Sequence, residues 1–109
     1  FGFDHIFERQ IEALGQSGDV FLGISTSGNS ANIVNALTQA QKMGITTVGF
    51  SGGDGGKMRC LCEYNIVIPS TVTMNIQESH LALEHIFCMI VERFTFGTDF
   101  ETRPQILSE

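Results

Sequence analysis

The chain has 109 residues, 42% of them hydrophobic, a formal net charge of −6 and a mean hydropathy of +0.12; this is room for one domain around a single core. Its six Lys and Arg residues are scattered, so no basic face for nucleic acid is readable. No apolar run reaches the roughly 18 residues of a membrane span. Three cysteines, Cys60, Cys62 and Cys88, form an odd set without a C-x-x-C pair, which suits a reducing cytoplasm better than a disulfide scaffold. Cys60-x-Cys62 lacks a second Cys/His pair at zinc-finger spacing, and the cysteines are read as buried small hydrophobes.

The chain opens on Phe1-Gly2-Phe3-Asp4, with no initiator Met and no signal-peptide pattern, and is expected to be part of something longer. Asp4 to Leu14 carries Ile6, Phe7, Ile11 and Leu14 at helical spacing, with Asp4 as cap and Gly15 as terminator. Asp19 to Ile24 is a short continuous apolar run, as expected for a strand covered on both faces. Asn29 to Met43 reads as a helix that Gly44 ends, and Ile45 to Phe50 as a second strand. A glycine-rich loop, Ser51 to Gly56, passes near a ligand or another backbone. Lys57 to Cys62 reads as a short helix, Tyr64 to Ile68 as a third strand stopped by Pro69, and Ile76 to Phe94 as a long helix after a polar stretch.

Alternating helices and strands predict an α/β fold, a three-layer sandwich with a parallel sheet flanked by helices. The last helix is apolar nearly all round, with Ile76, Leu81, Leu83, Ile86, Phe87, Met89, Ile90, Val91 and Phe94. Such a helix needs burial on more than one side, so missing sequence or a homo-oligomer is expected to supply it.

The segment Ser25-Thr26-Ser27-Gly28-Asn29-Ser30 lies between a strand end and a helix start. That edge of an open α/β sheet is where ligands bind, and a helix N-terminus presents free N–H groups and a positive dipole end. The hydroxyls of Ser25, Thr26, Ser27 and Ser30 add donors, and Gly28 lets the backbone close round an anion. A simple N-cap explains one such residue, whereas the whole turn reads as a phosphate-binding loop. It has neither the lysine of a Walker loop nor a G-x-G-x-x-G fingerprint.

I-S-T-S-G-N-S before a helix resembles the sugar-isomerase (SIS) domain family. Gly52-Gly53-Asp54-Gly55-Gly56-Lys57-Met58 resembles the G-x-D-G-G-K-M loop of its phosphoheptose isomerase branch. Ile76-Gln77-Glu78-x-His80, with His85 five residues on, resembles that branch's I-Q-E-x-H-x4-H helix. The likeness covers Phe3 to Phe94 and implies a flavodoxin-like partial SIS domain over 1–97, its C-terminal part, with an extended tail over 98–109.

The resemblance implies a cytoplasmic homotetramer that interconverts sedoheptulose 7-phosphate and glycero-manno-heptose 7-phosphate for lipopolysaccharide heptose, with no organic cofactor. Ser25, Thr26, Ser27 and Ser30 would hold the phosphate. Gln77 would contact substrate and, with His85, a metal such as zinc, and His85 would carry the proton. Read from the helix alone, His85 is a satisfied core histidine, and the resemblance reverses that reading. His80 is explained by an i,i+4 pair with Glu84.

Gln77 and His85 stand eight residues apart, about 12 Å of rise and about 80° of rotation on a regular helix. Either both side chains lean together, or Gln77 lies in an irregular first turn, or the two serve sites in different subunits. The family's first strand and the helix with a catalytic Glu and a metal-binding His are not in these residues, so the chain by itself is expected to be inactive. Met74 stands where the family often has an acid. The rival reading is a non-catalytic SIS module that binds a phosphosugar or a protein partner, like the DnaA initiator-associating protein. A third is a regulatory sugar-phosphate sensor.

Overall fold

In the computed structural model, which describes residues 2–97, a 3-10 turn (Phe3–His5) leads into helix α1 (Ile6–Leu14). Strand β1 (Val20–Ile24), helix α2 (Ala31–Lys42) and strand β2 (Thr46–Gly52) follow. A 3-10 helix (Gly56–Cys60), strand β3 (Tyr64–Ile68) and helix α3 (Thr73–Phe96) complete the chain. The strands form a parallel sheet in the order β1-β2-β3, with Gly23 opposite Gly49 and Gly52 opposite Ile68.

Three glycines show which helix covers which face. A Cβ at Gly23 would meet Ile33 and Leu37 of α2, and one at Gly49 would meet Met58 and Cys62. A Cβ at Gly52 would instead run into Ile76 of α3. Thus α2 and the second 3-10 helix lie on one face and α3 on the other, which is the expected three-layer α/β architecture.

Local chemistry sets the ends of α2. Gly44 takes φ 72° and donates to the Gln41 carbonyl, while the Ile45 amide donates to that of Ala40. This pair of bonds is a Schellman motif, which needs a residue free to adopt a left-handed conformation. The same turn delivers Ile45 into a core with Ile11, Ala36 and Ala40, against which Phe7, Phe21 and Met43 pack. Leu37 is fully buried, a contribution of about 1.5–3 kcal/mol for such a side chain.

Several expectations are corrected. Asp4 does not cap the first helix: it lies inside the 3-10 turn, and His5 occupies the cap position, with no side-chain cap bond. The His5 imidazole pairs instead with Glu8 at 2.8 Å. Ile6 and Leu14 are exposed, because α1 packs on α2 through Ile11 and Phe7. Only the central strand β2 is well covered, whereas the edge position of β1 leaves Val20 exposed. Cys60 and Cys88 are exposed rather than buried; Cys62 is half-buried, and burial pushes its thiol up to about 11. The expected tail over 98–109 lies outside the described residues.

Helix α3 starts at Thr73 and takes in part of the stretch expected to be loop. It presents one stripe to the sheet: Ile76 and His80 are buried, and Leu83 and Phe87 half-buried. Leu81, Ile86, Met89, Ile90, Val91 and Phe94 remain exposed, Phe94 at 88%. Among the described residues nothing covers these faces, whose burial was expected from missing sequence or another copy. Nearby Tyr64 and Ile66 of β3 are exposed as well.

His80 is not explained by Glu84. It is buried (3% exposed), its Nε2 donates to the Ser51 carbonyl at 2.8 Å, and its ring lies 6.0 Å from that of Phe50. The bond ties α3 to the end of β2. His80→Leu fills similar space but leaves that buried carbonyl without its donor, a cost of about 1–3 kcal/mol. Chemical denaturation should show a loss of stability in this range; an unchanged midpoint would contradict the anchoring role.

Candidate functional site

Because the strands are parallel, their C-terminal ends share one edge, and the loops that follow them meet there. An open cleft of about 970 Å³ lies at this edge. The first loop contributes Thr26, Ser27, Asn29 and Ser30, and the second contributes Gly52, Gly53 and Asp54. The third runs from Pro69 to Thr73, with Ile76 at the base.

The first loop is held from inside. The Ser25 amide donates to the Phe50 carbonyl at 3.0 Å, and the Gly28 amide to the Ser25 carbonyl at 3.1 Å. Ser25 and Ser30 share a hydroxyl–hydroxyl bond of 2.7 Å, and the Asn29 amide donates to Ser27 Oγ at 3.1 Å. Gly28 takes φ 74°, and a Cβ there would collide with the Gly55 carbonyl. A Cβ at Gly56 would stand 2.6 Å from Asn29 Oδ1 and from the Ser27 carbonyl. Cross-bonds reinforce this contact: Lys57 N–H to Asn29 Oδ1 at 2.8 Å, and Met58 N–H to the Gly28 carbonyl at 3.0 Å. The two glycine-rich loops are therefore one unit.

Two helix N-termini open on the cleft. Ser30 is the cap residue of α2 and Val72 that of α3, neither makes a side-chain cap bond, and both line the cleft. First-turn N–H groups have no partner within their own helix, and each helix brings the positive end of its dipole. The hydroxyls of Thr26, Ser27, Ser30, Ser70, Thr71 and Thr73 surround them, and the lining holds no Lys or Arg and one carboxylate, Asp54, so an anion here would rely on the helix ends and hydroxyls on the side away from Asp54.

Of the residues singled out for the phosphate, Thr26, Ser27 and Ser30 line the cleft. Ser25 is buried beneath them and braces Ser30. Gln77 and His85 are exposed, and neither lines the cleft. The helix between them is unbroken, so Gln77 does not sit in an irregular first turn and the two are separated by about 12 Å along the axis. Among the described residues no group of three or more His, Cys, Asp or Glu is arranged to hold a metal ion. Sequence reasoning missed Asn29, Ser70, Thr71 and Thr73. The run of hydroxyls beside Pro69, at the end of a strand and before a helix, is the signal that points to the last three.

The contact between the loops makes a direct prediction. Gly28→Ala adds a Cβ at a positive φ and against backbone, at a cost of roughly 2–4 kcal/mol. The variant should lose phosphate affinity and stability together in calorimetry; wild-type affinity would show that the loop does not need this approach.

Comparison with known proteins agrees with this architecture. Residues 1–52 match the SIS domain family. The phosphoheptose isomerase of Sulfurimonas denitrificans is 53% identical over 97 residues, 89% of this chain and 50% of that protein. That of Aneurinibacillus thermoaerophilus is 50% identical over 100 residues, 92% of this chain and 50% of that protein. Among solved structures, the phosphoheptose isomerase of Neisseria gonorrhoeae superposes with a TM-score of 0.77 at 42% identity, over 80% of this chain and 50% of that one. For one from Francisella tularensis the TM-score is 0.81 at 35% identity, over 84% and 50%. The chain spans about half the length of the relatives it matches. It is part of a SIS domain and belongs with the phosphoheptose isomerases of that family.

Proposed function

We propose that the full-length protein is a phosphoheptose isomerase. In this reading it interconverts sedoheptulose 7-phosphate and glycero-manno-heptose 7-phosphate, as a cytoplasmic homotetramer supplying heptose for lipopolysaccharide. The observation that carries the reading is the cleft where two helix N-termini and a ring of hydroxyls converge. Such a site holds the phosphate of a sugar and leaves the rest of the molecule to extend beyond it.

Aldose–ketose isomerisation moves a proton between C1 and C2 through an enediol, and needs an acid, a base and stabilisation of the oxyanion. In this reading Thr26, Ser27 and Ser30 grip the phosphate, with Ser25 setting Ser30. His85 is the proton carrier in this reading, since an imidazole has one nitrogen to donate a proton and one to accept it. It lies outside the cleft of its own chain, so it would serve a site completed by another copy or by the part of the protein not in this chain. Gln77 would meet substrate in the same way. The exposed apolar surface of α3 supports such assembly.

Gln77 and His85, the donors that the family resemblance nominates for zinc, stand about 12 Å apart along the axis of α3, so one ion within a single copy would need both side chains to lean toward it. Otherwise a shared ion would take Gln77 and His85 from different copies.

The metal-supplemented full-length protein should isomerise sedoheptulose 7-phosphate. Replacing His85 by Ala should lower kcat by roughly 10²–10⁴-fold while phosphate binding persists. Ser27→Ala combined with Ser30→Ala should weaken sugar-phosphate binding by more than about tenfold, since each hydrogen bond to a charged group contributes about 1.5–3 kcal/mol. Binding without turnover would favour the non-catalytic module or the sensor; absence of binding would remove all three readings. Light scattering should show an oligomer, and a stable monomer would contradict the role given to α3.

A further inference from the structure

We propose that Asn29 is a recognition and positioning residue of the cleft: its Oδ1 is taken by the second glycine-rich loop, which commits its Nδ2 group to donate to the bound oxyanion. The inference rests on the anion-site reading of the cleft and adds a residue to it. Asn29 lines the cleft and is exposed there. The Lys57 backbone N–H donates to Asn29 Oδ1 at 2.8 Å. A backbone N–H can meet only the carbonyl end of a carboxamide, so chemistry fixes which end is which. The NH2 end, with two donors, is left over.

Asn29 also sets its neighbour. Its own backbone N–H donates to Ser27 Oγ at 3.1 Å. The Ser27 oxygen therefore acts as an acceptor towards the loop, and its hydroxyl proton is free to point elsewhere. Ser27 and Asn29 thus reach the cleft as donors, both oriented by the loop's own bonds. A cleft lined without Lys or Arg depends on such prearranged neutral donors.

Asn29→Asp separates recognition from bracing. Aspartate keeps the size and keeps an acceptor for the Lys57 N–H, but puts a negative oxygen where the NH2 group stands. The probe is sulfate, titrated calorimetrically into the full-length wild type, Asn29→Asp and Asn29→Ala. At alkaline pH, Asn29→Asp should bind at least about tenfold more weakly than wild type, as expected for a lost charge-assisted bond. The gap should narrow as pH falls towards the carboxylate range, because protonation removes the repulsion. Asn29→Ala should also weaken binding, without that pH dependence. If Asn29→Asp binds sulfate as tightly as wild type, Asn29 only braces the loops and the assignment is overturned. If the wild type itself does not bind sulfate, the anion site falls and the assignment with it.

Discussion

The backbone of Gly28 lies against that of Gly55, and the functional edge of the molecule depends on this contact. It is possible only because Gly28 has no side chain to run into the Gly55 carbonyl, and both residues take a positive φ. Through it the turn after β1 and the loop after β2 become a single surface, cross-bonded at Asn29 and at Gly28. The parallel sheet supplies the rest. Adjacent strands of equal direction put both loops, and the start of α3, at the same edge. The cleft is thus a consequence of strand direction together with one close approach of two glycines.

Helix α3 has the opposite character. It is held to the sheet by a narrow stripe and by the bond from His80 to the Ser51 carbonyl. Its remaining faces carry large apolar side chains in the open, more than a helix of a finished domain would show. The chain spans about half the length of its relatives, and these uncovered faces are where further sequence or further copies have apolar surface to bury. The division of labour follows from the geometry. The hydroxyl-lined cleft is assembled within this chain, whereas Gln77 and His85 stand on α3 outside it.

Much of this was legible in the residues. Strand and helix order came from short apolar runs and glycine punctuation, and Gly44 announced the end of α2 because only a residue tolerant of a left-handed conformation completes that turn. The hydroxyl loop was legible since it sits where a strand gives way to a helix. Less legible was anything that depends on a distant partner. His80 looked like half of a local helical pair because its true partner, a carbonyl 29 residues away, leaves no mark in spacing. That the Ser25 hydroxyl is turned inward to Ser30 was not legible either, because spacing does not tell an outward hydroxyl from an inward one. Asn29 reads in the sequence only as the start of a helix, and its bond to the second loop emerges only when that loop arrives against it. The start of α3 at Thr73 instead of Ile76 was hidden because the residues before Ile76 are mostly polar and carry no apolar periodicity.

The central claim is that two helix N-termini converge on one bound phosphate group. The most direct measurement is a titration of sedoheptulose 7-phosphate into the ¹⁵N-labelled full-length protein, followed through the backbone amides. The account predicts that Ala31 and Asn32 at the start of α2 and Thr73 at the start of α3 shift together along one binding curve. Shifts confined to residues outside the cleft, with these amides unmoved at saturation, would contradict it.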